Sequence, residues 1–134
     1  MRYLLDTNIA SYFLKRGFPK LHERMKAAMQ SGKVAISVVT RAELRYGQFL
    51  LQAGGKRIRL IDTFLEEIPT LDWTLAAADH YGQLAAQLKL SGKPIGILDT
   101  QIAAHALSEK LVLVTHNTRH FARVAGLRLE DWLE

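Results

Sequence analysis

Three apolar runs set the frame of this chain: "RYLL" at residues 2–5, "KVAISVV" at 33–39 and "LVLVT" at 111–115. The last two are rich in β-branched residues, and all three read as strands. Stretches with helical periodicity separate them. "NIASYFLKR" reads as a helix ending near Gly17 and Pro19, and a second helix spans Pro19 to Gln30. From Thr40 a helix carries "TRAELRYGQFLLQ" to Gln52, before Gly54 and Gly55. "KRIRLIDTFLEEI" reads as another, followed by a brief extended "IPTL". Thr74 opens a long helix to Leu90, "LDTQIAAHALSE" forms the next, and "LRLEDW" reads as a short terminal strand. Strands alternating with helices predict an α/β fold whose parallel sheet is flanked by helices. In such sheets, sites form at the carboxyl ends of strands. Asp6 directly follows the first strand.

At 134 residues, with no repeat or linker breaking the pattern, the chain reads as one domain, residues 1–134. It contains no cysteine, which excludes disulfide frameworks, thiol catalysis and cysteine-ligated zinc. No run approaches the length of a membrane span, and the expectation is a soluble, cytoplasmic protein. Eighteen Lys and Arg against thirteen Asp and Glu give a net charge of +5, which suits a polyanionic partner such as RNA or DNA. The basic residues are dispersed rather than gathered in a tail.

The acids carry more information than the bases. "DT" occurs at Asp6, Asp62 and Asp99. Asp62 has Arg59 and Glu66 among its helical neighbours, so a solvated residue with an ion pair is expected. Asp99 instead shares a face with Ile102, Ala103 and Ala106, and Glu43 one with Val39, Tyr46, Gly47 and Leu50. Both are expected to point toward the core, where an unpaired carboxylate costs several kcal/mol. Two remedies are open. Each acid could meet an arginine, with Arg41, Arg45 and Arg119 available, or a helix N-terminus, which Asp6 would cap. Alternatively Asp6, Glu43 and Asp99 share a divalent cation, and oxygen donors of this kind suit Mg²⁺ or Mn²⁺.

Other candidates are weaker. His116 and His120 are four apart, but "HNTRH" lacks the glutamate and third ligand of a zincin and reads as surface or loop. His105 reads as a packing or hydrogen-bonded histidine. There is no G-x-S-x-G, P-loop or G-x-G-x-x-G. Tyr3, Tyr12, Phe13 and Trp73 fit core or interface positions.

Taken together, "LLDTNI", "SVVTRAELRYG", "GKPIGILDTQIAAHAL" and "LVLVTHNTRHFARVAGLRLEDW" resemble a PIN-domain ribonuclease, specifically a toxin of the VapC type, over essentially the whole chain. The resemblance implies a PIN-like α/β/α sandwich around a mainly parallel sheet, with Asp6, Glu43 and Asp99 as the first three family acids holding Mg²⁺ or Mn²⁺. Asn117 matches the fourth, less regular position, and Asn8 and Thr115 match polar residues lining the same pocket. It further implies endonucleolytic cleavage of structured RNA, with tRNA the suggested class, by metal-activated water that leaves 5′ phosphate and 3′ hydroxyl ends. A VapB-type antitoxin would lie across the site, the toxin would form a homodimer, and DNA would be met only through the antitoxin. The chain departs from the family at Ile97 and Leu98, where relatives often carry a proline or polar residue, and at His120, where Glu or Asp is common. A resting state with one metal ion, joined by a second with RNA, is the corresponding expectation. Two other readings compete: a PIN-fold RNA-binding module without catalysis, and a small phosphatase or phosphoacceptor using Asp6 as nucleophile. The residue two beyond Asp6 is Asn8, not the second aspartate that a phosphatase would use.

Overall fold

The computed structural model describes residues 1–51 and 54–134. Five strands, β1 (Tyr3–Leu5), β2 (Val34–Ser37), β3 (Thr70–Leu71), β4 (Val112–Val114) and β5 (Leu129–Glu130), form one sheet in the order β3-β2-β1-β4-β5. Every pairing is parallel. The helices are α1 (Thr7–Lys15), α2 (Pro19–Gln30), α3 (Val38–Leu50), α4 (Lys56–Glu67), α5 (Leu75–Leu90), α6 (Ile97–Glu109) and the single turn α7 (Thr118–Phe121). The expected α/β/α architecture with a parallel sheet is what the chain forms.

Successive strand residues point to opposite faces, and both faces here are covered. Leu5, Ile36 and Val114 point into a core closed by Ile9, Leu21, Met25, Phe64 and Trp132. Their neighbours Leu4, Ala35 and Leu113 point into a second core with Leu84, Leu88, Ile102, Ala103 and Phe121. This double burial explains why the strand sequences show no alternation of apolar and polar residues.

The chain differs from the sequence expectation in three places. Val38 and Val39, expected to extend a strand, open α3, because the Ser37 hydroxyl accepts the Val39 N–H at 3.0 Å and caps the helix there. That helix ends at Leu50; its expected last residue, Gln52, lies outside the described residues. The turn α7 had no signal in "NTRHF" beyond its polarity.

Sheet order also locates a crevice. From β1 the chain runs outward through β2 to β3, then crosses to the other side of β1 to lay down β4 and β5. The reversal falls between β1 and β4, and the carboxyl end of such a switch point is where α/β sheets hold ligands. Asp6 follows β1 and Thr115 follows β4 on that edge. Ile36 on β2 is fully buried next to this frame. Ile36→Ala is expected to lower unfolding free energy by ~2–5 kcal/mol, measured by urea denaturation followed by circular dichroism.

Candidate active site at the carboxyl edge of the sheet

Asp6 is the buried member of the site, with 3% of its surface exposed. Its Oδ1 accepts the Ile9 N–H at 2.8 Å and caps α1, while its Oδ2 accepts the Thr115 hydroxyl at 2.5 Å. Capping and pocket position therefore belong to the same side chain. Thr115 is fully buried and accepts the Asn117 N–H at 3.0 Å, so the residue expected to line the pocket holds Asp6 directly.

Glu43 enters from α3. Its Oε1 accepts the Thr7 hydroxyl at 2.6 Å, and the Thr7 and Thr40 hydroxyls lie 3.1 Å apart. Thr7 thus ties the second acid to the start of the helix that Asp6 caps. Asp99 lies in the first turn of α6, where the helix N-terminus favours negative charge. Gly96 delivers it: the residue before α6 sits at φ 95°, a conformation that strains any side chain bearing a Cβ. Asp99 Oδ2 is 3.2 Å from His120 Nε2, which also lies 2.9 Å from the Ile95 carbonyl.

The expectation that Glu43 and Asp99 point into the core is corrected. Both are half-buried, at the rim of a cavity of about 670 Å³ lined by Thr7, Val39, Glu43, Tyr46, Ile61 and Leu98, among others, or of a smaller one beside it. Apolar periodicity marked a real face, but Tyr46 is 69% exposed, with no cover from the described residues. Two of the three arginines offered as partners for these acids are engaged elsewhere, and Arg119 is exposed. Arg41 donates to the Leu65 carbonyl, and Arg45 pairs at 2.6 Å with Asp62, which meets the expectation for that aspartate. His105 is buried with its Nδ1 at 2.7 Å from the Ser37 hydroxyl, as a structural histidine. His120, read from the sequence as surface or loop, instead contacts Asp99, while Thr7 and Thr40 had no signal at all. Asn8 and the Asn117 side chain are exposed, and the contacts of the described residues tie neither to the three acids.

Electrostatics bind the acids into one site. Burial, opposed by the Thr115 and Ile9 hydrogen bonds and reinforced by the charges of Asp99 and Glu43, raises Asp6 to about 6. Burial also raises Asp99, with His120 acting in the opposite sense. Among the described residues, no three His, Asp or Glu side chains converge closely enough to hold a metal ion as they stand. The donor chemistry nevertheless suits a hard divalent cation: carboxylate oxygens only, one of them buried with too few positive partners. Such an ion would bring Asp6 back down.

The parallel sheet and the acids at its carboxyl edge define the class, a PIN-like α/β/α protein. A PIN domain family model matches residues 3–127. The chain is 42% identical to the tRNA(fMet)-specific endonuclease VapC of Shigella flexneri, over 98% of both chains, and 41% identical to the ribonuclease VapC2 of Haemophilus influenzae, over 99% of both. Among solved structures it is similar to VapBC2 from Rickettsia felis bound to a promoter DNA fragment, with a TM-score of 0.90 and 32% identity over 98% of this chain and 99% of that one. DNA-bound VapBC from Salmonella typhimurium gives a TM-score of 0.91 and 36% identity, over 98% of both. The chain belongs to the PIN-domain family, among the VapC-type toxins.

Asp6 offers a direct test of this electrostatic account. The folded chain holds the Asp6 proton to about 6, against 3.8 for a free aspartate, so folding stability falls as pH rises through that window. Keeping the carboxylate charged at neutral pH costs ~3 kcal/mol. Relative to wild type, Asp6→Asn should therefore gain ~2–3 kcal/mol between about pH 4.5 and about pH 7.5 in urea unfolding without divalent ions. A pH-independent difference between the two proteins would count against it.

Proposed function

We propose that the protein is a metal-dependent endoribonuclease toxin that cleaves structured RNA, with tRNA as its substrate class. The observation that carries this reading is the buried Asp6 at the sheet's switch point, near enough to Asp99 and Glu43 that their charges raise its pKa. Relatives named as a tRNA(fMet)-specific endonuclease and as ribonucleases support the substrate class.

In this reading Asp6, Asp99 and Glu43 hold Mg²⁺ or Mn²⁺. The cation would supply Lewis acidity, lowering the pKa of water and offsetting charge on the phosphate. The chain's own residues do the positioning. Thr115 fixes the Asp6 carboxylate, and Thr7 fixes Glu43. His120 sets the rotamer of Asp99 while the Ile95 carbonyl holds the imidazole. Asn117, exposed in the loop after β4, would contact the phosphate. Products carry 5′ phosphate and 3′ hydroxyl ends, because the ribose hydroxyl takes no part. The phosphoacceptor alternative is disfavoured, since Asp6 is buried and both its oxygens already accept hydrogen bonds.

An active ribonuclease in the cytoplasm requires restraint, and we assign that role to a VapB-type antitoxin. Solved VapBC complexes of similar toxins support it. The apolar cavity beside Glu43 is a suitable seat for an antitoxin segment, with Val39, Tyr46 and Leu98 in its wall. We assign the adjacent exposed residues Phe49 and Leu50 of α3 to the contact of a toxin homodimer. DNA contact is assigned to the antitoxin, and the positive charge of this chain to RNA.

The test is cleavage of end-labelled total tRNA by antitoxin-free protein. Discrete fragments are expected with Mg²⁺ or Mn²⁺ and none with a chelator, and Asp99→Asn should lower the rate by ~100-fold or more, the scale seen when a charge-stabilising group is removed. Cyclic phosphate ends, or cleavage indifferent to the chelator, would refute the reading; uncut RNA that still binds would favour a non-catalytic RNA-binding module.

A further inference from the structure

His116 lies outside the scheme above but is built into the same edge of the sheet. It follows Thr115, whose hydroxyl holds Asp6, so its Cα stands only about 3.8 Å further along the chain. On the neighbouring strand, Glu130 pairs with Val114, and the residue after it, Asp131, meets His116 with Oδ2 2.9 Å from Nδ1. Asp131 is itself fixed: its Oδ1 accepts the Leu133 N–H at 3.0 Å, and its side chain is only 12% exposed. The His116 side chain is 50% exposed. Tyr12 of α1 stands edge-on to the imidazole with ring centres 6.3 Å apart.

A nearly buried aspartate, held by a backbone N–H, thus orients a half-exposed imidazole one residue beyond the threonine that holds Asp6. A hydrogen bond at the rim adds little to stability, so this arrangement is better explained by orientation. With Nδ1 engaged, Nε2 has no partner among the described residues, and the clamp decides where it points. Nucleic-acid contacts of this kind fall mostly on phosphate and sugar.

We infer that His116 is a substrate-contacting residue whose Nε2 hydrogen-bonds the RNA backbone of a nucleotide flanking the cleaved phosphate, with Asp131 as its positioning residue. The inference rests on the ribonuclease reading. Its test uses two measurements: KM and kcat on the RNA that the wild type cuts, and affinity for the same RNA in an Asp99→Asn background. His116→Ala and His116→Phe should each raise KM and weaken binding by about tenfold, the scale of one hydrogen bond to a charged group, with kcat changed far less. Asp131→Asn should give an intermediate rise. Melting temperatures of the His116 variants should match wild type. Unchanged KM and affinity in His116→Ala, or full recovery in His116→Phe, overturns the inference. If wild type binds RNA without cutting it, the ribonuclease reading fails alone, and weaker binding by His116→Ala still sustains the contact. RNA neither cut nor bound refutes both.

Discussion

One carboxylate governs this molecule. Asp6 ends the central strand, caps the first helix and is buried, so water cannot stabilise its charge. Among the described residues two hydrogen bonds do so, from Ile9 and Thr115, and Thr115 is 109 residues away in sequence. The bond to Thr115 ties the end of β1 to the end of β4, where the direction of sheet growth reverses. A site with a buried, under-compensated acid is costly to fold and disposed to accept a cation.

The remaining acids show the same tension in milder form. Glu43 and Asp99 stay partly solvated, and each is held by a neutral or weakly basic partner, Thr7 or His120. Neither partner has a permanent charge that would satisfy the carboxylate outright, unlike the pairing of Asp62 with Arg45 on the outer surface. The distinction separates an acid used to join two helices from acids left available. Gly96 and the N-terminus of α6 contribute to the same end by presenting Asp99 at the mouth of the crevice rather than along the helix flank.

Much of this was legible in the sequence because burial on both faces leaves a plain signature. The runs around Leu4, Ile36 and Leu113 carry no polar alternation, which requires a covered parallel sheet, and the acid directly after the first run marks a carboxyl edge. Periodicity went too far at Val38 and Val39, where a capping serine overrode β-branched propensity. It also went too far at Glu43: an apolar helical face reports that something should cover it, not that this chain does. Tyr46, Phe49 and Leu50 are exposed for that reason. The contacts of Thr7, Thr40, His120 and Asp131 were illegible for a different one. They depend on side chains brought together by the sheet order, and spacing within a helix carries no trace of a bond made across strands.

That division bears on how the site can be regulated. Glu43 lines a cavity whose walls are largely apolar, and its helix, α3, also supplies the exposed Tyr46. A partner that buries Tyr46 therefore removes water from around Glu43 as well, raising the cost of its charge and drawing a basic side chain toward the acids. In the proposed reading, apolar docking and electrostatic inhibition would be consequences of one surface rather than separate devices. A substitution that weakens the apolar contact should accordingly loosen the ionic one, because the low dielectric that strengthens an ion pair beside Glu43 exists only while Tyr46 is covered.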